Sequence, residues 1–349
     1  MPISIVVGGQ FGSEGKGKVA LEIVRRSRGP VTVIRVGGPN SGHTAYDRNG
    51  KKWALRQMPA ACIDRNVDVV FPAGSYLDVD ILFREIADLA YPAERIFISH
   101  YANVITDEHK AWERSAGLIS SIGSTGSGVG AAVMASVARE AGNFPFKALH
   151  ARDHGQLQPF IHDTTTGLYN GLQLDRRIVI EGSQGFGLSL LDGGYWPKAT
   201  ARSTTAAAAL AEAGLSPRYV DDVTMVIRSF PIRVAGESGP LPRETTWDEI
   251  ARNAGVTCDL REYTTVTGKL RRVGEFDGEL VGRAIAANAP HRIVLNHMDY
   301  LGTKEDLLHS SSSVSRFVSR IESAIGRRID WFGFDPMSVV GNDLTRVSV

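Results

Sequence analysis

Between positions 8 and 18 the chain reads Gly8-Gly9-Gln10-Phe11-Gly12-Ser13-Glu14-Gly15-Lys16-Gly17-Lys18, five glycines and two lysines in eleven residues. Small residues let backbone N–H groups approach phosphate oxygens, and a lysine adds a point charge at the same place. The spacing is not a Walker A loop, because Gln10 occupies its first glycine position and Gly17 replaces its Ser/Thr. Nor is it G-x-G-x-x-G. The plain alternative is a tight βα turn with solvated lysines, but glycine density and position favour phosphate.

A second glycine-rich segment, Gly37–Thr44, holds His43, whose imidazole titrates near neutrality as a general acid requires. Taken alone, a histidine in a polar loop reads first as a surface side chain. Three more segments combine hydroxyls, amides and arginines: Ser120–Gly128 ahead of a helix containing Arg139, Glu181–Gly185, and Thr264–Arg272. The first of these also reads as a flexible linker. Five such segments in one chain point together to a ligand.

These segments must be carried by regular elements. Ile3–Val7 is short, β-branched and followed by glycines, which predicts a buried strand running into a loop. Val19, Ala20, Ile23 and Val24 recur at helical spacing and predict a helix over Lys16–Arg26, ended by Gly29-Pro30. Val31–Val36 predicts a second strand, so the first forty residues read as strand, loop, helix, strand. The same grammar predicts strands at Val67–Phe71, Ile96–Ile98, Arg177–Ile180, Asp222–Ser229 and Arg292–Leu295, and helices over Asp78–Leu89 and from Ala206. In open α/β sheets ligands sit beyond the carboxyl ends of strands, where the polar clusters lie. No linker-like stretch divides the chain, so residues 1–349 are expected to form one elaborated domain.

The 349 residues carry a formal charge of +1, with 43% hydrophobic and 22% charged residues. That balance predicts a folded globular chain and argues against a protein that coats nucleic acid by dense positive charge. Cys62 and Cys258 form no disulfide or zinc pattern, and no apolar run approaches the ~20 residues that span a bilayer. The N-terminus reaches the glycine loop before a signal-peptide core could form, so a cytoplasmic, membrane-independent protein is expected.

In order along the chain, GGQFGSEGKGK, NSGHT, IGSTGSG followed by VAR, EGSQG, and TTVTGKLRR followed by GEFD resemble the motifs of the adenylosuccinate synthetase family, from Gly8 to Asp299. The resemblance implies a P-loop-NTPase-like α/β fold with a mostly parallel sheet, and a ligase that couples L-aspartate to purine C6 after a nucleoside triphosphate phosphorylates O6. Ser13 stands where the family has an aspartate, its usual general base and magnesium ligand. An unactivated hydroxyl is far too weak a base for that role near pH 7. Serine here, with IGSTG and TTVT, looks like the phage branch, which takes dGMP to N6-succino-2-amino-2'-deoxyadenylate for 2-aminoadenine DNA. The family's usual inosinate (IMP) reaction is the alternative, and a non-catalytic nucleotide-binding module a third. Host cytoplasm would be the location of a phage-encoded enzyme. Short chains also occur among archaeal members, so length does not decide.

Carried over by position, the resemblance implies that Gly12, Glu14, Gly15, Lys16, Gly17 and Lys18, with Gly42 and Thr44, hold the triphosphate. Ser13 and the Gly42 carbonyl would hold Mg²⁺, and His43 would be the acid at the transferring phosphate. Ser13, Lys16, His43 and Gln184 would surround the reacting atoms. Ser13, Asn40, Ser124, Thr125, Gln184, Thr200 and Lys269 would face the purine monophosphate, with Arg139 reaching it from a second subunit of a homodimer. Thr265, Val266, Thr267 and Arg271 would take aspartate. Lys269 replaces a usual arginine near the ribose 2'-hydroxyl, a fork that deoxyribose gives nothing to bind. Asp299, in the place of the family's guanine reader, suits GTP on local chemistry or could simply cap a helix. His297 in the usual lysine position, and the phage branch's donor, favour ATP or dATP, with Phe332 and Gly333 flanking the base.

Overall fold

The computed structural model describes residues 2–63, 67–255, 259–264 and 268–342. Cys258, Thr265, Val266 and Thr267 lie outside the described residues. Ten strands share one sheet and are numbered in chain order: β1 (Ile3–Gly8), β2 (Val31–Arg35), β3 (Asp68–Phe71), β4 (Ile96–Ser99), β5 (Ile161–His162), β6 (Arg177–Glu181), β7 (Val220–Arg228), β8 (Arg292–Asn296), β9 (Trp331–Phe332) and β10 (Val340–Gly341). Their order is β5-β4-β3-β2-β6-β1-β7-β8-β9-β10, parallel throughout except for the closing β9/β10 pair.

Continuous apolar runs form the central strands because both faces are covered. Ile3, Ile5, Val7, Ile178, Ile180, Met225 and Ile227 pack on one side, against helices Ala206–Ala213, Gly278–Asn288 and Ser313–Ile325. Val6, Val33, Val179, Val226 and Val294 face the other side, where α1 (Lys16–Arg26) and α2 (Val79–Leu89) supply Val19, Ile23, Val79 and Leu82.

The observed α1 has the bounds its periodicity predicts. Asp78 is not the first helical residue but the N-cap of α2, its carboxylate accepting from the Ile81 amide. Strands β6 and β8 each run one residue past the predicted apolar stretch, to Glu181 and Asn296, because the parallel ladder continues through a polar side chain that finds buried partners. Three shorter helices follow: α3 (Asp107–Ser115), α4 (Leu118–Ile122) and α5 (Val129–Ala138). Among the described residues no helix is long and apolar enough to cross a membrane.

Candidate active site

Polar residues end four of the five central strands, with β1 between the two pairs, and the parallel register lines them up along one edge: Glu181 beside Arg35 and Val6, and Arg228 beside Asn296. This is the carboxyl edge where open α/β sheets bind ligands. Arg35, 2% exposed, donates to Glu181 Oε1 at 3.1 Å and to the Ser41 carbonyl at 2.6 Å. Glu181 also accepts from the amides of Ala60 and Ala61 at 3.1 and 3.2 Å, and from His43 Nδ1. Burial alone would raise the Glu181 carboxyl, but His43 and Arg35 hold it at about 2. It is therefore ionised, so Nδ1 must be the donor. Burial and Arg35 push the His43 imidazole down to about 4 against the pull of Glu181. The ligand-free ring is neutral, with its proton on Nδ1 and a buried Nε2 that has no partner among the described residues.

A pH dependence follows. The folded values of His43, about 4, and His297, pushed to about 3 by burial and Arg228, both lie below the ordinary 6.5. Between these values the unfolded chain binds more protons, so this stability is present above pH 6.5 and is lost as pH falls toward 4. Denaturant midpoints at about pH 7.5 and 5.5 should therefore differ less in His43→Asn than in the unsubstituted protein. Equal differences would mean that His43 does not titrate in this way.

The glycine loop after β1 is shaped around its own carboxylate. Glu14, fully buried, accepts from the amides of Gln10 at 3.2 Å and Gly12 at 2.8 Å through Oε1, and from Lys16 Nζ at 2.7 Å through Oε2. Left-handed backbone at Gly12, Ser13 and Gly15, with φ of 96°, 55° and 89°, turns Glu14 inward. A Cβ on Gly185 would come within 2.3 Å of Glu14 Oε1, so a glycine is needed beneath the loop. Gln10 ties the loop to β7, its side chain accepting from the Arg228 amide at 2.9 Å and donating to that residue's carbonyl at 3.1 Å. Gly17 packs α1 against the His43 segment, since a Cβ there would stand 3.1 Å from His43 Cβ.

Lys18 points away from the loop. Its ammonium donates to the Asp335 carbonyl at 2.8 Å, and burial brings its pKa down to about 8 against the pull of Asp335 and Asp299. A Cβ on Gly333 would lie 2.0 Å from Asn296 Oδ1 and 2.5 Å from Lys18 Nζ, so Lys18, Asn296 and Gly333 meet beyond β8, next to buried Phe332. Asp299 lies within a short 3₁₀ turn, Met298–Tyr300, whose N-cap is His297, so the capping alternative for Asp299 does not hold.

A third group surrounds Arg228. This fully buried guanidinium donates to the Ser13 carbonyl at 3.1 Å and to both oxygens of Glu262. Arg271 and the Tyr300 hydroxyl complete the Glu262 shell at 3.2 and 2.7 Å. Burial would raise Glu262, yet Arg228 keeps its carboxyl well below the usual range.

The remaining predicted residues are spread more widely. Gly42 and Thr44 are exposed, Asn40 is half-buried and Thr200 is buried. Gln184 adopts φ of 62°, and its carbonyl would meet a Cβ on Gly8 at 2.7 Å, so its backbone packs directly on the glycine loop. Ser124 belongs to a separate network around buried Glu113, which accepts from Ser124 Oγ at 3.3 Å and from the amides of Gly128 and Gly130 at 2.9 and 2.7 Å. That fastening, together with α4, replaces the flexible linker that Ser120–Gly128 could have been. Thr125 is exposed and shares its hydroxyl with Ser127. Arg139 is not inside α5 but is its exposed C-cap, with φ of 57°. Lys269 is exposed, and its backbone N–H donates to Thr264 Oγ1 at 3.0 Å.

Residues 5–145 and 143–308 match the adenylosuccinate synthetase family model. The adenylosuccinate synthetase of Pyrococcus sp. (strain ST700) is 35% identical over 334 residues, 93% of this chain and 94% of that one. The chain belongs to the adenylosuccinate synthetase family. It is a carbon–nitrogen ligase that joins aspartate to a purine nucleotide. The adenylosuccinate synthetase of Methanocaldococcus jannaschii is similar, at 34% identity over 93% of this chain and 91% of that one. Among solved structures, a cyanophage S-2L succinoaminodeoxyadenylate synthetase (PurZ), bound to dGMP and to dATP as an energy donor, has a TM-score of 0.80 at 28% identity, covering 97% of this chain and 95% of that one. The fully ligated Plasmodium falciparum adenylosuccinate synthetase has a TM-score of 0.82 at 20% identity over 98% of this chain and all of that one, a likeness of fold.

Among the described residues of this synthetase no cluster of three or more His, Cys, Asp or Glu is placed to hold a metal ion. With Glu14 committed to its own loop, the Ser13 hydroxyl and the Gly42 carbonyl are neutral oxygen donors. They fit a Mg²⁺ that arrives on a triphosphate and keeps mainly phosphate and water ligands. Sequence reasoning about the synthetase missed Arg35, Arg228, Glu262 and Glu113, and gave Glu181 no role. For Arg35, Glu181 and Arg228 a signal existed: each is a charged residue that closes its strand directly after an apolar run, Val33-Ile34, Ile178–Ile180 and Met225–Ile227.

Proposed function

We propose that this synthetase takes dGMP as its purine nucleotide and makes the 2-amino-6-succino deoxynucleotide used for diaminopurine DNA. The observation carrying this reading is Ser13. The residue's carbonyl is held by Arg228, which anchors its backbone in the loop where the family resemblance places an aspartate. A hydroxyl both donates and accepts, and its size leaves room beside an exocyclic 2-amino group that a carboxylate would crowd. The dGMP in the cyanophage relative supports the same choice. The second reading, the IMP reaction, is favoured by the archaeal relatives, which are named as adenylosuccinate synthetases.

In this reading O6 takes the γ-phosphoryl group, the amino group of aspartate attacks C6, and phosphate leaves with the oxygen. Positioning and electrostatics dominate such a transfer. Bound Mg²⁺ would offset phosphoryl charge from the Ser13 hydroxyl and Gly42 carbonyl. Lys16 would exchange the Glu14 carboxylate for phosphate oxygens, and His43 Nε2 would face the transferred group. An approaching dianion raises the affinity of Nε2 for a proton, which turns the neutral ring into a donor. Lys18, Asp299, Phe332 and Gly333 would line the base end of the donor site, with ATP or dATP as the donor on the example of the cyanophage relative. Arg139, exposed beyond α5, would serve a neighbouring subunit's nucleotide in a homodimer.

The test is product formation from aspartate with dGMP or IMP, each with ATP, dATP or GTP at equal concentration. Faster turnover of dGMP is expected, with ATP or dATP at least matching GTP. IMP rates equal to or above those with dGMP would reject the substrate reading. Turnover with GTP alone, lost in Asp299→Asn, would reassign Asp299 as a guanine reader.

A further inference from the structure

The Glu262 group contains two guanidiniums and one carboxylate, and its members touch different parts of the site. Each carboxylate oxygen has two donors: Oε1 takes Arg228 and Tyr300, and Oε2 takes Arg228 at 3.3 Å and Arg271 at 3.2 Å. The Arg228 nitrogen on Oε2 is the same NH1 that holds the Ser13 carbonyl at 3.1 Å. One nitrogen is thus shared between the loop beside the purine and a carboxylate that also holds Arg271. The Arg271 guanidinium is bound to the Glu262 carboxylate through a single nitrogen, and its Nε is buried with no partner among the described residues. The group has a net charge of +1, so one further carboxylate would balance it.

We propose that Glu262 is a positioning residue that couples occupancy of the amino-acid subsite to the setting of Ser13, through Arg228. When a carboxylate ligand draws Arg271 toward itself, Oε2 loses one of its two donors. The shared Arg228 nitrogen then shifts toward Glu262 and changes its hold on the Ser13 carbonyl. Arg228 is fully buried and Glu262 and Arg271 are largely so, which strengthens the charge interactions that the exchange alters. By linkage the coupling is reciprocal: purine nucleotide strengthens aspartate binding by the same factor that aspartate strengthens nucleotide binding. The proposal rests on the ligase activity but not on the choice of nucleotide.

The test varies aspartate and nucleotide together in initial-rate measurements, using whichever of dGMP and IMP turns over faster. The rate comparison between nucleotides then judges the substrate reading, and the coupling factor judges this one. In the unsubstituted enzyme the KM for aspartate should fall about fivefold or more between low and saturating nucleotide. In Glu262→Gln the factor should approach one. Arg228→Lys keeps the charge but replaces the rigid fork, with one nitrogen on each Glu262 oxygen, by a single ammonium on a flexible stem, which loses the fixed geometry tying Ser13 to Glu262, so it decides the matter should Glu262→Gln fail to fold. Its coupling should also approach one, with kcat changed less than the coupling. A merely structural role would lower stability or kcat and leave the factor intact. An unchanged factor in folded Arg228→Lys, or a factor of one in the unsubstituted enzyme, overturns the proposal.

Discussion

Replacing His43 with asparagine should lower kcat by about 10²-fold or more while nucleotide binding stays near its original strength. Asparagine can still donate to Glu181, so the buried carboxylate and Arg35 keep a polar neighbour. What disappears is Nε2, the atom left without a partner, and with it the only group on that side chain able to take up and return a proton. The measurement is kcat beside a direct titration of nucleotide affinity. A kcat within a few-fold of the original would leave His43 as a packing residue over Gly17.

The second large effect is on stability. Glu181→Ala would remove the carboxylate that satisfies Arg35, His43 and two backbone amides at once. Breaking a buried ion pair by deleting one partner costs about 3–5 kcal/mol, because the other charge stays behind in a poor solvent. Among the described residues Arg35 then retains only the partly buried Ser41 carbonyl as an acceptor. Denaturant unfolding should show a loss of that size, and Glu181→Ala combined with Arg35→Met should recover part of it. A loss below about 1 kcal/mol, or no recovery in the double variant, would mean that Arg35 finds other compensation.

The elements most legible in the sequence were those whose pattern is local. Helix α1 could be bounded residue by residue because its apolar spacing lies between Gly15 and the Gly29-Pro30 break. The central strands showed as apolar runs because both of their faces are buried. The glycine loop was legible as a loop, but not the inward turn of Glu14, which depends on left-handed backbone at Gly12, Ser13 and Gly15 on either side of it. The pairs that organise the site were not legible, since spacing along a chain says nothing about partners 138 positions apart, as His43 and Glu181 are, or 34 apart, as Arg228 and Glu262 are. The polar ends of β2, β6 and β7 marked where partners were needed without naming them.

The position of β6 in the sheet bears on how the chain reaches this state. Strands β1 and β2 leave the ribosome early, joined by α1, yet they are not neighbours; β6, made much later, lies between them and is registered to both. Until residues 177–181 are synthesised the sheet has a slot one strand wide, bordered by two apolar strand edges. Direct pairing of β1 with β2 would close that slot and leave Glu181 outside. Insertion of a late central strand is a distant, entropically costly contact and makes for slow folding. The floor beneath the glycine loop therefore waits until about half of the chain has been made, so a chain interrupted before β6 lacks the centre of its sheet and the anchor of His43 together.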